Sequence, residues 1–172
     1  MERDYDDVST AQILARSGVS RGALYHHFPS KQDLFRAVFE ASERRVLVRV
    51  AARAATAETP FEALVETARA YLGSCETDEE LRRIGLIQSR AVLGWEGWRA
   101  AASELGIGVS LALVSAAIEA GELAPRDPET TALVLLGAMI EAAMLIVVAT
   151  DRRAARERSE AVVVELLEGL RR

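Results

Sequence analysis

The stretch STAQILARSGVSRGALYHHFPSKQDLFRAVFE, residues 9–40, decides how the chain is read. Ser9 stands just before an apolar-periodic run, and Gln12 follows three residues later, the capping-box pattern that opens a helix. Ala11, Ile13, Leu14 and Ala15 supply the apolar face. Gly18 stands where a left-handed residue ends a helix. Ser20 caps a second short helix, RGALYHHF. Pro29 stops it, because the residue before a proline is pushed out of the helical region. Ser30 caps a third, long helix in which positions 34, 35, 38, 39, 42, 46 and 50 trace one face, Ser42 being the one hydroxyl among apolar residues. Two short helices joined by a tight turn at Gly18, with a long helix leading away, fit a helix-turn-helix.

The remainder is helical as well. Alanine and arginine abound, aromatics are scarce, and Pro29, Pro60, Pro125 and Pro128 all fall at helix boundaries. No strand-like alternation is sustained, so the expected class is all-α. Pro60 opens a helix with Phe61, Leu64, Val65, Ala68, Leu72 and Cys75 on one stripe. DEELRRIGLIQSRAVL reads as another helix, and GWEGW as a glycine-punctuated break. ASELGIGVSLALVSAAIEAGEL is a helix ending near Gly121 and loosened at Gly106 and Gly108. PRDPE is a turn, TTALVLLGAMIEAAMLIVVAT an apolar helix, and the last segment an amphipathic helix with Val162, Val163, Leu166, Leu167 and Leu170 on its apolar side. The apolar run at 132–149 reaches the lower length limit for a membrane span. Glu141 near its middle and the polar helices around it favour burial in a bundle, so no membrane partner is expected.

Charge divides along the chain. The total is −5, yet residues 8–53 hold eight Arg or Lys against three acids, a net of +5, while residues 54–172 hold twelve Arg against nineteen acids, a net of −7. A basic head on an acidic body suits contact with a nucleic acid through the head. The single cysteine, Cys75, excludes an intrachain disulfide and a thiolate metal cluster. With no signal peptide pattern, a reducing cytoplasm is the default. No nucleophile–base spacing, carboxylate pair or phosphate loop appears, so no catalytic residue, metal or cofactor is assigned and an enzyme is not expected.

The residues at 9–40 resemble the DNA-binding head of the tetracycline-repressor-like (TetR/AcrR) family of bacterial regulators. The resemblance rests on the turn Ala15, Gly18, Val19, Ser20, on the helix residues Leu24, Tyr25, His27 and Phe28, and on Ser30-Lys31. AVLGWEGWR and AGELAPRDPETTALVLLGAMIEAA resemble a subgroup of that family's bodies. The resemblance implies a head at 1–53 and an effector-binding and dimerisation body at 54–172. It also implies a further helix before residue 9, for which MERDYDDVS leaves no room; the expectation is a head lacking that helix, with the true start upstream of Met1. The implied function is a dimeric repressor released from a DNA operator by a small molecule. The alternative is a dimerising or ligand-binding module that does not bind DNA.

In a helix-turn-helix the second helix enters the major groove N-terminus first, which points to Ser20, Arg21, Gly22 and Ala23. The fork of Arg21 matches guanine O6/N7, with a phosphate contact as the alternative. Gly22 and Ala23 allow close approach. Ser9, Thr10 and Lys31 sit at helix N-termini suited to phosphates. The family resemblance adds Tyr25 and His26 as phosphate contacts. His27 is expected to pack or hydrogen-bond near the helix end, groove contact being the alternative, and neighbours about 100° apart on a helix do not share a metal ion easily. For the effector, Tyr71, Cys75, Gln88, Trp95, Trp98, Met139 and Glu141 combine aromatic surface with polar handles, core packing being the alternative. Arg90 is expected to pair an acidic ligand or Glu141. The homodimer is expected through the last two helices as a four-helix bundle, by way of Leu136, Ile140, Met144, Val147, Val163, Leu166, Leu167 and Leu170.

Overall fold

A computed structural model describes residues 4–171. Among them are seven α-helices and one π-helical segment, and no strand. Helix α1 spans Thr10–Ser17, α2 Arg21–His27, α3 Lys31–Ala54 and α4 Pro60–Thr77. The π segment Leu81–Gln88 runs into α5, Ser89–Glu119, followed by α6, Pro128–Val148, and α7, Arg152–Gly169.

The capping chemistry reads as expected. Ser9 accepts a hydrogen bond from the Gln12 amide, and the Gln12 side chain accepts one from the Ser9 amide. Gly18 ends α1 at φ 69°, a left-handed conformation that costs a side-chain-bearing residue about 1–2 kcal/mol. Ser20, Ser30, Thr59, Asp127 and Asp151 each cap the helix that follows.

Two cores result. The larger joins α3 (Val46, Val50), α4 (Leu64, Ala68, Leu72, Cys75), α5 (Val114, Ala117), α6 (Ala143, Ile146) and α7 (Val163, Leu167). The smaller sits where the head meets the body: Phe35 and Phe39 of α3 pack with Leu93, Trp98 and Ala101 of α5. Gln32 of α3 donates to the Val92 carbonyl at 2.6 Å, crossing the same junction. Helix α3 therefore belongs to both cores, and no break in packing falls between residues 53 and 54. On the α3 stripe Phe35, Phe39, Ser42, Val46 and Val50 are buried, whereas Leu34 is half-buried and Val38 exposed.

Three readings from sequence change. DEELRRIGLIQ begins with a π-helix rather than an ordinary one. Its wider turn is served by Ser89, whose hydroxyl donates to the Gly85 carbonyl at 2.5 Å in a fully buried position. The break at GWEGW is confined to Gly94 (φ 69°, ψ 170°), and the helix resumes at once through both tryptophans. Gly106 and Gly108 do not loosen α5. Gly106 instead lets α6 come close, since a Cβ there would lie 3.3 Å from Leu136.

Candidate DNA-binding face and effector cavity

The head presents a polar, largely exposed surface. Ser9, Ser20, Arg21, Gly22, Ala23, Tyr25 and His26 are all exposed and Thr10 half-buried. They lie at the starts of α1 and α2 and along α2, the arrangement expected of a reading helix and its phosphate clamps. The outer side of Gly22 is open, with nothing within 4 Å of a Cβ built there. Arg21 lies over the Tyr25 ring at 5.5 Å, which steadies its long side chain at the N-terminus of α2. Leu24 is buried and anchors α2, and Phe28 is half-buried.

Two head residues differ from expectation. His27 is exposed rather than packed; its ring meets His26 edge-on at 5.2 Å. Lys31 is half-buried and already engaged: its Nζ donates to the Tyr5 carbonyl and stands 3.8 Å from the Tyr5 ring centroid. Tyr5 in turn packs edge-on against Phe35 at 5.3 Å. The segment before α1 is thus folded back onto α3. Glu2 and Arg3 lie outside the described residues.

In the body, a cavity of about 90 Å³ lies among α3, α4, the π segment, α5 and α6. That is room for several waters or a ring-sized group. Its wall is mostly apolar, from Leu47, Val50, Leu86, Leu105, Val109 and Ile140 among others, with Phe39, Tyr71 and Trp98 as aromatic surface. The polar groups are few: Glu43, Thr67, Tyr71 and Ser110. Thr67 Oγ1 is buried without a hydrogen-bond partner. Burial pushes the Tyr71 hydroxyl well above its ordinary range, with nearby Glu43 adding to the effect. Burial also pushes the Glu43 carboxyl up to about 7, and the negative charge of Asp78 acts in the same direction.

Of the residues expected to bind an effector, Tyr71, Trp98 and Met139 line this cavity. The others do not. Trp95, 61 % exposed, points outward just after the Gly94 break. Cys75 is wholly buried in the main core, where burial raises its thiol to about 12. Gln88 donates to Asp4 at 3.0 Å. Glu141 is exposed on the far side of α6. Arg90 does not reach Glu141; its guanidinium stacks on the Trp98 ring at 4.3 Å, with Nε and Nη2 buried and unpartnered.

Glu43, Thr67 and Ser110 were not legible as site residues. Glu43 had one signal: it lies four residues after Phe39 and three before Val46, a charge on the edge of a buried stripe.

The dimer assignments also shift. Leu136 and Ile140 line the cavity. Val147, Val163 and Leu167 are buried within one chain, and Met144 and Leu170 pack against the same core. Of the eight, only Leu166 is exposed, at 51 %. The outward side of α6 and α7 instead carries Leu145, Val148 and Val162 with Leu166, around a groove that also holds Glu141 and Arg158. The helical period explains the shift: a helix apolar nearly all round does not announce which apolar side turns inward.

Comparison with known proteins joins both halves. Residues 61–170 match the family described as "Tetracyclin repressor-like, C-terminal domain", and residues 1–38 match "Bacterial regulatory proteins, tetR family". A TetR-family transcriptional regulator from Pectobacterium atrosepticum is 33 % identical, with a TM-score of 0.83 over 96 % of this chain and 84 % of that one. The regulator FadR from Bacillus subtilis, solved in complex with stearoyl-CoA, shares the fold at 18 % identity, with a TM-score of 0.74 over 95 % of this chain and 88 % of that one. The nucleoid occlusion factor SlmA of Haemophilus influenzae is 41 % identical over 51 residues, 30 % of this chain. That match spans 23 % of the curated relative's own length. With head and body both matched, the chain belongs to the tetracycline-repressor-like (TetR) family, non-enzymatic transcriptional regulators with a helix-turn-helix head and a helical C-terminal domain.

Proposed function

We propose that the protein is a dimeric repressor of the bacterial cytoplasm, released from its operator when a small molecule enters the body cavity. The observation that carries this reading is the double role of α3. Its Phe39, Glu43, Leu47 and Val50 line the cavity, while its first turn, at Ser30 and Lys31, adjoins the helix-turn-helix. A ligand that fits one placement of α3 better than another shifts the population of head arrangements by its difference in affinity. The complex of FadR with stearoyl-CoA supports an effector role for such a body.

In this reading residues 1–53 carry the DNA-binding unit and 54–172 most of the effector and dimer unit, with α3 serving both. Arg21, Gly22 and Ala23 face base edges; Ser9, Thr10, Ser20, Tyr25 and His26 face phosphates, and Lys31 joins them once its contact with Tyr5 gives way. The dimer forms across the outward side of α6 and α7. A two-fold interface brings each surface onto its own copy. The groove there offers apolar Leu145, Val162 and Leu166 together with opposite charges at Glu141 and Arg158, which suits that self-pairing. Two heads then meet successive major grooves of a pseudo-palindromic operator.

Binding to the DNA upstream of the protein's own gene, followed by fluorescence anisotropy over a range of salt, tests the reading. Arg21→Ala should cost about 1–3 kcal/mol on the operator and erase its preference over random DNA. Lys31→Ala should weaken binding to all DNA and reduce the salt slope by about 1. Parent-like operator binding by both variants would show the DNA face to be misassigned. A second reading, a helical module that does not bind DNA, has one observation in its favour: α1 buries none of its residues, and Val19 in the turn is 43 % exposed. Absence of salt-dependent binding to any DNA by the parent chain would select it.

A further inference from the structure

Among the described residues Glu43 is the one charged side chain in the wall of the cavity. It lies against the π segment, where a Cβ on Gly85 would collide with Glu43 Oε1, so the glycine leaves room for the carboxyl. Among the described residues no hydrogen bond or ion pair reaches that carboxyl. The ionisable groups coupled to it are Tyr71, Cys75 and Asp78, none of them a cation. Arg90 stacks on the Trp98 ring and acts on the Tyr71 hydroxyl, with Nε and Nη2 buried and unpartnered; it forms no ion pair with Glu43 and does not line the cavity.

A carboxylate in a mostly apolar cavity with no hydrogen-bond or ion-pair partner is costly to ionise, and it either keeps its proton or gains from a partner that arrives from outside. A ligand bearing a positive charge removes that cost, whereas an anion adds repulsion. Phe39 and Tyr71 add aromatic surface to the wall, and an aromatic face attracts a cation that meets it; the Trp98 ring is already stacked by Arg90. An ammonium group has three donors, and Thr67 Oγ1, which has no partner, is a further acceptor in the same cavity.

We propose that the cavity takes small lipophilic cations, an apolar or aromatic body of about one ring bearing a protonated amine, with Glu43 as the counter-ion. This rests on the reading of the cavity as the effector site.

Three probes of similar shape separate the possibilities by calorimetric titration of the full chain at pH 8: 2-phenylethylamine, 2-phenylethanol and phenylacetate. The amine should bind roughly tenfold or more tighter than the alcohol, with phenylacetate weakest, as expected for a hydrogen bond between charged partners. Glu43→Gln should bring the amine down to the affinity of the alcohol while the alcohol still binds, which also reports that the variant is folded. An amine no tighter than the alcohol, a preference for phenylacetate, or an amine preference that survives in Glu43→Gln overturns the assignment of Glu43 and leaves the cavity as the effector site. No heat and no change in tryptophan emission with any of the three overturns the effector-site reading, and the cation preference with it.

Discussion

Replacing Glu43 by glutamine should make the protein more stable at neutral and mildly alkaline pH. Glutamine keeps the shape and cannot ionise. In the folded chain the Glu43 carboxyl stands at about 7 against an ordinary 4.5, because burial and then Asp78 disfavour its charge. A group whose pKa rises on folding holds its proton more tightly in the native state. Its stabilising contribution is full below 4.5, falls as pH rises, and is gone above about 7. The separation from 4.5 to about 7, at ~1.36 kcal/mol per pH unit, corresponds to roughly 3 kcal/mol. The variant should therefore lack this decline and exceed the parent by up to that amount at pH 8, or by roughly 6–12 °C in Tm for a chain of this length. Asp78 does not confuse the window. Burial pushes it up, but hydrogen bonds from the Leu81 amide and Arg49 outweigh that and hold it below its ordinary 3.8. The assay is chemical denaturation of parent and variant from pH 5 to 8 at one protomer concentration, since association also contributes to apparent stability. Identical pH dependence in the two proteins would mean that Glu43 ionises as readily in the fold as in water, and that burial and Asp78 do not disfavour its charge.

Gly94→Ala should destabilise by about 1–3 kcal/mol in thermal melts, because φ 69° with ψ 170° is a region open to glycine alone. The same substitution at Gly108, a helical position with open space around it, should stabilise slightly or do nothing. Leu166→Asp with Leu145→Asp should convert a dimer to a folded monomer by light scattering, since both side chains are more than half exposed in one chain and line the α6–α7 groove. A thiol reagent at pH 8 should leave native Cys75 unmodified and label it at once in denaturant, because the thiol is buried and raised to about 12.

The head was almost fully legible along the chain, and for a local reason. Caps, stops and left-handed turns involve groups only three or four residues apart, so Ser9 with Gln12, Gly18, Ser20, Pro29 and Ser30 declare α1, α2 and the start of α3 without reference to anything distant. The exposure of Arg21, Gly22, Ala23, Tyr25 and His26, the candidate DNA-contacting residues of α2, goes with those boundaries. So did the stripe of α4, where six apolar positions at helical spacing all proved buried. The π segment escaped notice because its sequence keeps a helical apolar rhythm; its wider turn is accommodated by Gly85 and the hydroxyl of Ser89.

The cavity is another matter. Its wall is assembled from five separate elements, and membership depends on how α3, α5 and α6 lean together rather than on residue type. Chemistry suggested Trp95, Gln88 and Glu141 as readily as Trp98 and Tyr71, but helix rotation turned the first three away. The same rotation buried Val147, Val163 and Leu167 and left Leu145 and Val162 outside. Local hydrogen bonding was thus written in neighbouring residues and gave the helices and the turn of the head. That Glu43 lines the cavity without a hydrogen-bond or ion-pair partner depended on packing between helices far apart in the chain, and only the folded arrangement could reveal it.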